Sequence, residues 1–450
     1  MSEEDAKDAK DATPRRSIAR ATLVLVPAQI VFRGIEAILP LLLVYWFGAT
    51  RATDVYNFVY VVFGFASSLV FTAFQDSALV PILAEERIGN REGLPRLLGS
   101  LLAHTWVLGG GVAIAVGALA FGTFAFKFTG PDLEVALRMV LPFTLFLIVT
   151  ATRTFFGALL AAEHRFLVPP VASSVGMLAN LGVLALFHRS SGIALVPVAA
   201  LVGEVVAATT LAFHATRVVG IRIQLCFDRP PALVKFSKLV AAEVGGSTVT
   251  KINPVVDQFM AGFVAVAGGV TILRYSGDIA TLPTSVLQAT LLPVLLSHLS
   301  DHFARREIGT VRHTVVRALG WVIGILLVVT AFLWLVRAPL LRFVFLRGAM
   351  TEDGIARMIH LFPYHLVGLA PFGALLVLAR AHVALKNSTI MLSMGILNAG
   401  ANLGFNVLLM PVLGLEGIAL STSSVQAAVA IVFWFRLERR LAHLQREAPT

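Results

Sequence analysis

Apolar residues run along this chain in long unbroken stretches, near 21–47, 56–83, 97–126, 135–161, 167–187 and 192–216. After a polar stretch they resume near 236–264, 269–298, 316–336, 358–382, 388–410 and 413–435. Each stretch reaches the roughly 20 residues that a helix needs to cross a bilayer. The stretches are continuous rather than alternating, which excludes the pattern of an outer-membrane barrel strand and predicts about twelve transmembrane helices. Between the sixth and seventh lies a polar segment, 218–235, containing Asp228-Arg229-Pro230-Pro231, which reads as a linker.

The two halves repeat each other. Ala179-Asn180-Leu181-Gly182 is followed ten residues later by Gly192-Ile193-Ala194-Leu195, and Ala401-Asn402-Leu403-Gly404 thirteen residues later by Gly417-Ile418-Ala419-Leu420. Ala78-Leu79-Val80-Pro81-Ile82-Leu83 is echoed by Thr290-Leu291-Leu292-Pro293-Val294-Leu295, so the offsets lie between 212 and 225. Six spans per half, each half starting on the same side, make parallel repeats about an axis along the membrane normal. The expected fold is therefore an all-α polytopic membrane protein with two parallel six-helix lobes around a central cavity. Its parts are an N-terminal tail (1–20), an N-lobe (21–217), the linker (218–235), a C-lobe (236–436) and a C-terminal tail (437–450).

Composition agrees with this reading. Of 450 residues, 57% are hydrophobic and 14% charged, against about 25% charged in an average soluble domain. That excludes a soluble enzyme, a nucleic-acid-binding domain and a disordered chain. The net charge of +10 is mostly loop charge: Arg15, Arg16, Arg20, Arg87, Arg91, Arg96, Arg165, Arg217, Arg222, Arg229, Lys235, Arg305, Arg306, Arg312, Lys386, Arg436, Arg439 and Arg440 fall on one parity of loops, and Arg51, Lys127, Arg189 and the cluster Arg337, Arg342, Arg347 and Arg357 on the other, a balance of roughly two to one. The positive-inside rule then makes both termini cytoplasmic. The single cysteine, Cys226, excludes an internal disulfide.

Ionisable residues inside the spans are costly and so point to function. Arg33 and Glu36 share a face of the first span at i,i+3, and Arg274 and Asp278 share one of the eighth at i,i+4. Each pair has a plain alternative as a salt bridge that docks helices. Arg153 and Glu204 lie in the fourth and sixth spans, and Arg380 near the end of the tenth. The seventh span is the least apolar: Glu243, Lys251 and Asp257 punctuate Gly245-Gly246-Ser247-Thr248 and Asn253-Pro254, which suggests a bent helix lining a cavity. There is no Gly-Lys-Ser/Thr phosphate loop and no catalytic constellation, so the chain reads as a transporter driven by a gradient rather than an enzyme.

Several segments resemble the MurJ/MviN family, the lipid II flippases of the multidrug/oligosaccharidyl-lipid/polysaccharide exporter superfamily. They are Phe47-Gly48-Ala49-Thr50-Arg51-Ala52-Thr53-Asp54, Ala78–Glu85, Ile252-Asn253-Pro254-Val255-Val256-Asp257, Leu282-Pro283, Leu291-Leu292-Pro293, Phe345-Leu346-Arg347-Gly348-Ala349-Met350-Thr351 and Leu413–Leu420. The resemblance covers about residues 20–440. It implies a cavity that opens alternately to each side of the bacterial inner membrane, and a polyprenyl-pyrophosphate-linked saccharide as cargo. Its pyrophosphate needs cationic partners. Arg33 matches a cavity arginine and Asp54 the acidic residue after the first span. Leu39 and Ser67-Ser68 stand where the family has arginines, and Asp278 near where it has another, with Arg274 one turn away.

The resemblance also implies a sodium site at Asp257, Asn402, Asn406 and Thr422, with the Ile418 carbonyl nearby and Asn406 in place of a family carboxylate. Interhelical hydrogen bonding by the asparagines is the plain alternative. Many relatives have two further helices that form a groove for the lipid tail, whereas here twelve spans are expected.

The expectation is a flippase of lipid II type with Arg33, Glu36, Asp54, Lys251, Arg274 and Asp278 as cavity residues. Arg33 and Lys251 would hold the pyrophosphate, Asp54 would gate the outer side, and Asp257 would couple to sodium or a proton. No other cofactor is expected. Partners would be the glycolipid, membrane lipids and envelope-synthesis proteins, not nucleic acid. An O-antigen or exopolysaccharide flippase, a drug/cation antiporter and a non-transporting envelope scaffold remain open readings.

Overall fold

The computed structural model describes residues 35, 38–73, 93–163, 165, 167–234, 236–238, 251–385 and 388–447. Their regular structure is helical throughout. In chain order the main helices are α1 (Ile38–Phe47), α2 (Arg51–Ala73), α3 (Leu94–Lys127), α4 (Gly130–Ala162), α5 (Val168–Ser191) and α6 (Leu195–Phe213). After the linker come α7 (Asn253–Ala261), α8 (Gly269–Ala304), α9 (Ile308–Phe345), α10 (Glu352–Leu366), α11 (Leu369–Ala384), α12 (Ser388–Leu413) and α13 (Leu415–Glu447). The chain is an all-α polytopic membrane protein; among the described residues seven helices are long and apolar enough to cross a membrane, or eight with α10 and α11 taken as one span. The tenth is a broken span, α10 and α11 meeting at 41°. Pro363 lacks the N–H that would continue the ladder. Gly368 leaves room for Ser423 and Gln426 of α13 at the break, and the Ser423 hydroxyl donates to the Tyr364 carbonyl at 2.7 Å.

Lipid tails are as apolar as leucine, so close backbone approach and interhelical hydrogen bonds dock these helices more than apolar burial does. α5 and α6 form one apolar run folded back at Gly192, whose φ is +62°. A methyl group on Gly176 would overlap the Gly203 carbonyl, and one on Gly203 the Gly176 carbonyl. α3 and α4 meet where Gly117 faces Thr144, and α9 and α11 where Gly373 receives Leu326. Trp321, Leu327, Val328 and Leu335 of α9 are exposed, an apolar row suited to lipid.

The chain divides into two compact units: the described residues of Met1–Leu42 with Ala66–Val244, and those of Leu43–Phe65 with Gly245–Thr450. The end of the first span and the start of the second, 43–65, pack with the C-terminal half. In the first unit the linker runs extended over the start of α3. Gln224 donates its N–H to the Pro95 carbonyl at 2.9 Å, and Ser100 donates to the Asp228 carbonyl at 2.6 Å.

The second unit holds two buried apolar clusters. One joins α8, α9, α11 and α13 through Leu299, Val315, Val377 and Leu437. The other joins α1, α8, α9, α10 and α13 through Val44, Tyr275, Phe345, Met358 and Ile418.

Candidate functional site

Two polar networks interrupt the apolar interior of the second unit. The first is built on α7, which starts at Asn253-Pro254 and is only nine residues long. It carries Asp257. Asn402 and Asn406 share a face of α12 at i,i+4, and Thr422 comes from α13. The Asn402 and Asn406 amides donate to Asp257 Oδ1 at 3.0 and 2.8 Å, and the Thr422 hydroxyl to Oδ2 at 2.9 Å. Thr422 Oγ1 lies 3.2 Å from the Ile418 carbonyl. Asn402 and Asn406 are both fully buried, and Asn406 Oδ1 has no hydrogen-bond partner. A carboxylate inside the membrane is expensive unless satisfied; here three donors satisfy it. Around it stand further oxygens: the two amide carbonyls, the hydroxyl and the Ile418 carbonyl.

The second network joins the first turns of α2 and α8. α8 starts at Gly269 after Gly268 in a left-handed turn (φ +79°). Its first N–H groups have no partner within the helix. Asp54 Oδ1 accepts the Thr271 N–H and the Thr271 hydroxyl, both at 2.8 Å. A carboxylate there also meets the positive end of the helix dipole. One turn along α2, Asn57 donates to Thr271 Oγ1 at 2.9 Å and accepts from Arg274 Nη1 at 2.8 Å. The Arg274 guanidinium lies 4.4 Å from the centre of the Tyr60 ring, and its Nε is 3.9 Å from Asp278 Oδ2.

Three glycine turns frame this network. A methyl on Gly48 (φ +65°) would meet the Ala349 carbonyl, one on Gly348 (φ +63°) the Tyr45 carbonyl, and one on Gly268 the Ala49 carbonyl. Ala349 donates its N–H to Tyr45 at 2.8 Å. The turns before α2, α8 and α10 are thus pressed together backbone to backbone.

The family described as Lipid II flippase MurJ matches residues 43–448. The chain belongs to that family. It is 26% identical over 393 residues to the protein of Haemophilus influenzae named "Probable lipid II flippase MurJ", covering 81% of this chain and 75% of that one. Among solved structures, "Lipid II flippase MurJ, inward closed conformation" superposes with a TM-score of 0.76 at 17% identity, over 92% of this chain and 87% of that one. A multidrug resistance MATE family transporter of the MOP superfamily, in its inward-facing conformation, gives 0.78 at 16% identity, over 92% and 96%. The MurJ fold and the MATE fold are thus one architecture, and the family match is what separates them.

The residues singled out in the sequence fall into three groups. Asp257, Asn402, Asn406 and Thr422 converge. Asp54, Arg274 and Asp278 fall in the second network, Arg274 largely enclosed and Asp278 with 60% of its side chain exposed. Lys251 is exposed just before α7. Arg33 and Glu36 lie outside the described residues.

Sequence reasoning missed Asn57, Tyr60 and Thr271. The available signal was spacing: Asp54, Asn57 and Tyr60 descend one side of α2, and Thr271, Arg274 and Asp278 one side of α8. In the first unit Arg153 and Glu204 prove to be an ion pair, with Ser173 3.5 Å from the guanidinium. That gives them a helix-docking role.

Proposed function

We propose that this chain moves lipid II, or a closely similar polyprenyl-pyrophosphate-linked saccharide, across the bacterial inner membrane by alternating access, with both termini in the cytoplasm. The match to the lipid II flippase family over residues 43–448 carries the cargo class. In this reading the glycine turns before α2, α8 and α10 lie on the outer side. The Asp54–Thr271 contact is then the outer gate in its shut form. Opening it exchanges the Asp54 hydrogen bonds for water, a cost that cargo binding must offset. Arg33 and Lys251 meet the pyrophosphate as cationic partners, the charge-assisted contacts suiting its oxygens.

The Asp257 network fits a small hard cation: one carboxylate, neutral oxygens, and an Asn406 Oδ1 left without a partner. Asp257, Asn402, Asn406, Thr422 and the Ile418 carbonyl would hold it. A bound sodium ion would supply the positive charge that lets the Asp257 carboxylate stay ionised at that depth. The asparagine side chains would turn their oxygens inward to receive it.

The deciding experiment uses the purified protein in liposomes, with lipid II and a generic polyprenyl glycolipid measured side by side. Flipping of lipid II supports the reading, and loss of flipping in Arg33→Ala assigns the pyrophosphate contact. Leu39 and Ser67-Ser68, standing in place of family arginines, favour a second reading in which another polyprenyl glycolipid is the cargo. Flipping of the generic glycolipid alone would establish that reading. No flipping of either would leave an envelope scaffold.

A further inference from the structure

Arg274 is one of the costliest residues in the second unit. Its side chain is 16% exposed on a membrane-embedded helix, so its charge needs partners at every stage of any movement. Here α2 supplies two of them. Asn57 Oδ1 accepts from Nη1 at 2.8 Å, and the Tyr60 ring lies under the guanidinium at 4.4 Å. Asn57 is itself fully buried and spends its amide N–H on Thr271. Two further partners belong to α8 itself, the Tyr275 ring 5.7 Å from the guanidinium and Asp278. Asp278, one turn on, holds a carboxylate oxygen 3.9 Å from Nε, beyond hydrogen-bond length, and most of its side chain is exposed.

The two kinds of partner behave differently when α2 and α8 separate. Asn57 and Tyr60 leave with α2. Asp278 stays, since i and i+4 positions on one helix keep their neighbourhood. A carboxylate already this close and unconfined can swing through the remaining distance to make a charge-assisted hydrogen bond.

We infer that Arg274 is a partner-exchanging latch: Asn57 and Tyr60 hold it when α2 and α8 are together, and Asp278 receives it when they part. The latch rests on the alternating-access reading above. It makes Arg274 and Asp278 positioning residues of the gate rather than pyrophosphate ligands. Asn57 and Tyr60 weight the shut form, and Asp278 weights the open one, although all four belong to one small cluster.

That opposition of sign is the test. Spin labels on Arg51→Cys and Asp353→Cys, both exposed positions, in a Cys226→Ser background, report the separation of the turns before α2 and α10 in lipid nanodiscs. The quantity read is the ratio of long- to short-distance populations. Asn57→Ala and Tyr60→Leu are each expected to raise it, by about tenfold for the hydrogen bond to a charged group. Asp278→Asn is expected to lower it. In an Arg274→Gln background Asp278→Asn is expected to have no further effect.

A merely structural role for Asp278 would move the ratio in the same direction as Tyr60→Leu or leave it unchanged, and either result overturns the latch. Asp54→Ala is the reference. If it raises the ratio while Asn57→Ala and Tyr60→Leu do not, the gate stands and the latch falls. A single distance in every variant, Asp54→Ala included, removes alternating access and the latch with it.

Discussion

Asp54 accepts two hydrogen bonds from one residue, Thr271, through the backbone N–H and the hydroxyl, each 2.8 Å long. A side chain of α2 thereby does for α8 what an N-cap residue normally does from within the same helix. The other carboxylate oxygen is buried and has no hydrogen-bond partner.

Asp54→Ala leaves the buried Thr271 N–H without an acceptor, at a cost of about 1–3 kcal/mol. Asp54→Asn keeps one acceptor oxygen at the same reach. The alanine variant is expected to melt lower than the asparagine variant in detergent and to fail in the liposome assay. Equal melting of the two would show that an accepting oxygen at this position contributes nothing as a cap.

The glycine turns separate two costs. Gly414→Ala meets nothing nearer than 3.8 Å and bears only the strain of φ +64°, about 1–2 kcal/mol. Gly348→Ala adds an overlap with the Tyr45 carbonyl to similar strain. Thermal melting should rank Gly348→Ala well below Gly414→Ala.

If Asp257 holds sodium, the ion binds the folded protein and raises its melting temperature by mass action. Replacing choline chloride with sodium chloride at constant ionic strength is expected to stabilise the native chain. Asp257→Asn should abolish the shift. Asn406→Asp, which adds a second carboxylate, should enlarge it. Identical melting in both salts would remove sodium from the account.

Arg153 and Glu204 are expected to show strong non-additivity. Either single substitution strands a charge inside the membrane-embedded bundle, at about 3–5 kcal/mol for a buried pair, less to the extent that Arg153 is exposed. The double variant Arg153→Met with Glu204→Leu strands none. Its expression and melting should approach the native values while each single variant falls short.

Arg306 follows the end of α8 with φ +58°, a conformation that favours glycine. Arg306→Gly should raise the melting temperature by the equivalent of about 1 kcal/mol. An unchanged value would show that the arginine side chain offsets its own backbone strain.

The spans were legible because a membrane helix needs nothing beyond an apolar run of sufficient length. The break in the tenth was marked by Pro363 and Gly368. It stayed hidden because an apolar run tolerates both residues while Ser423 of a distant helix completes the backbone bonding. Asp257 stood out as a charge in the seventh span, but Asn402, Asn406 and Thr422 were joined to it through the family resemblance alone, since residues 145 to 165 positions apart share no local pattern. Arg274 and Asp278 stood out as charges. Their α2 partners did not, because Asn57, Tyr60 and Thr271 are uncharged and common at span ends. Arg153 and Glu204 were each conspicuous, yet only the packing of α4 against α6 revealed that they belong together.

The turns at Gly48, Gly268 and Gly348 lie far apart in the chain, and each falls in a short sequence word that chance could supply. Folding makes them interdependent. Any side chain introduced at one glycine pushes on the backbone of another turn, where no change of side chain can yield. Repair by a second substitution is therefore closed off, and the three positions should resist drift as a set. For recognising distant relatives, the three words in order form a single composite signature, far more discriminating than any one of them scored alone.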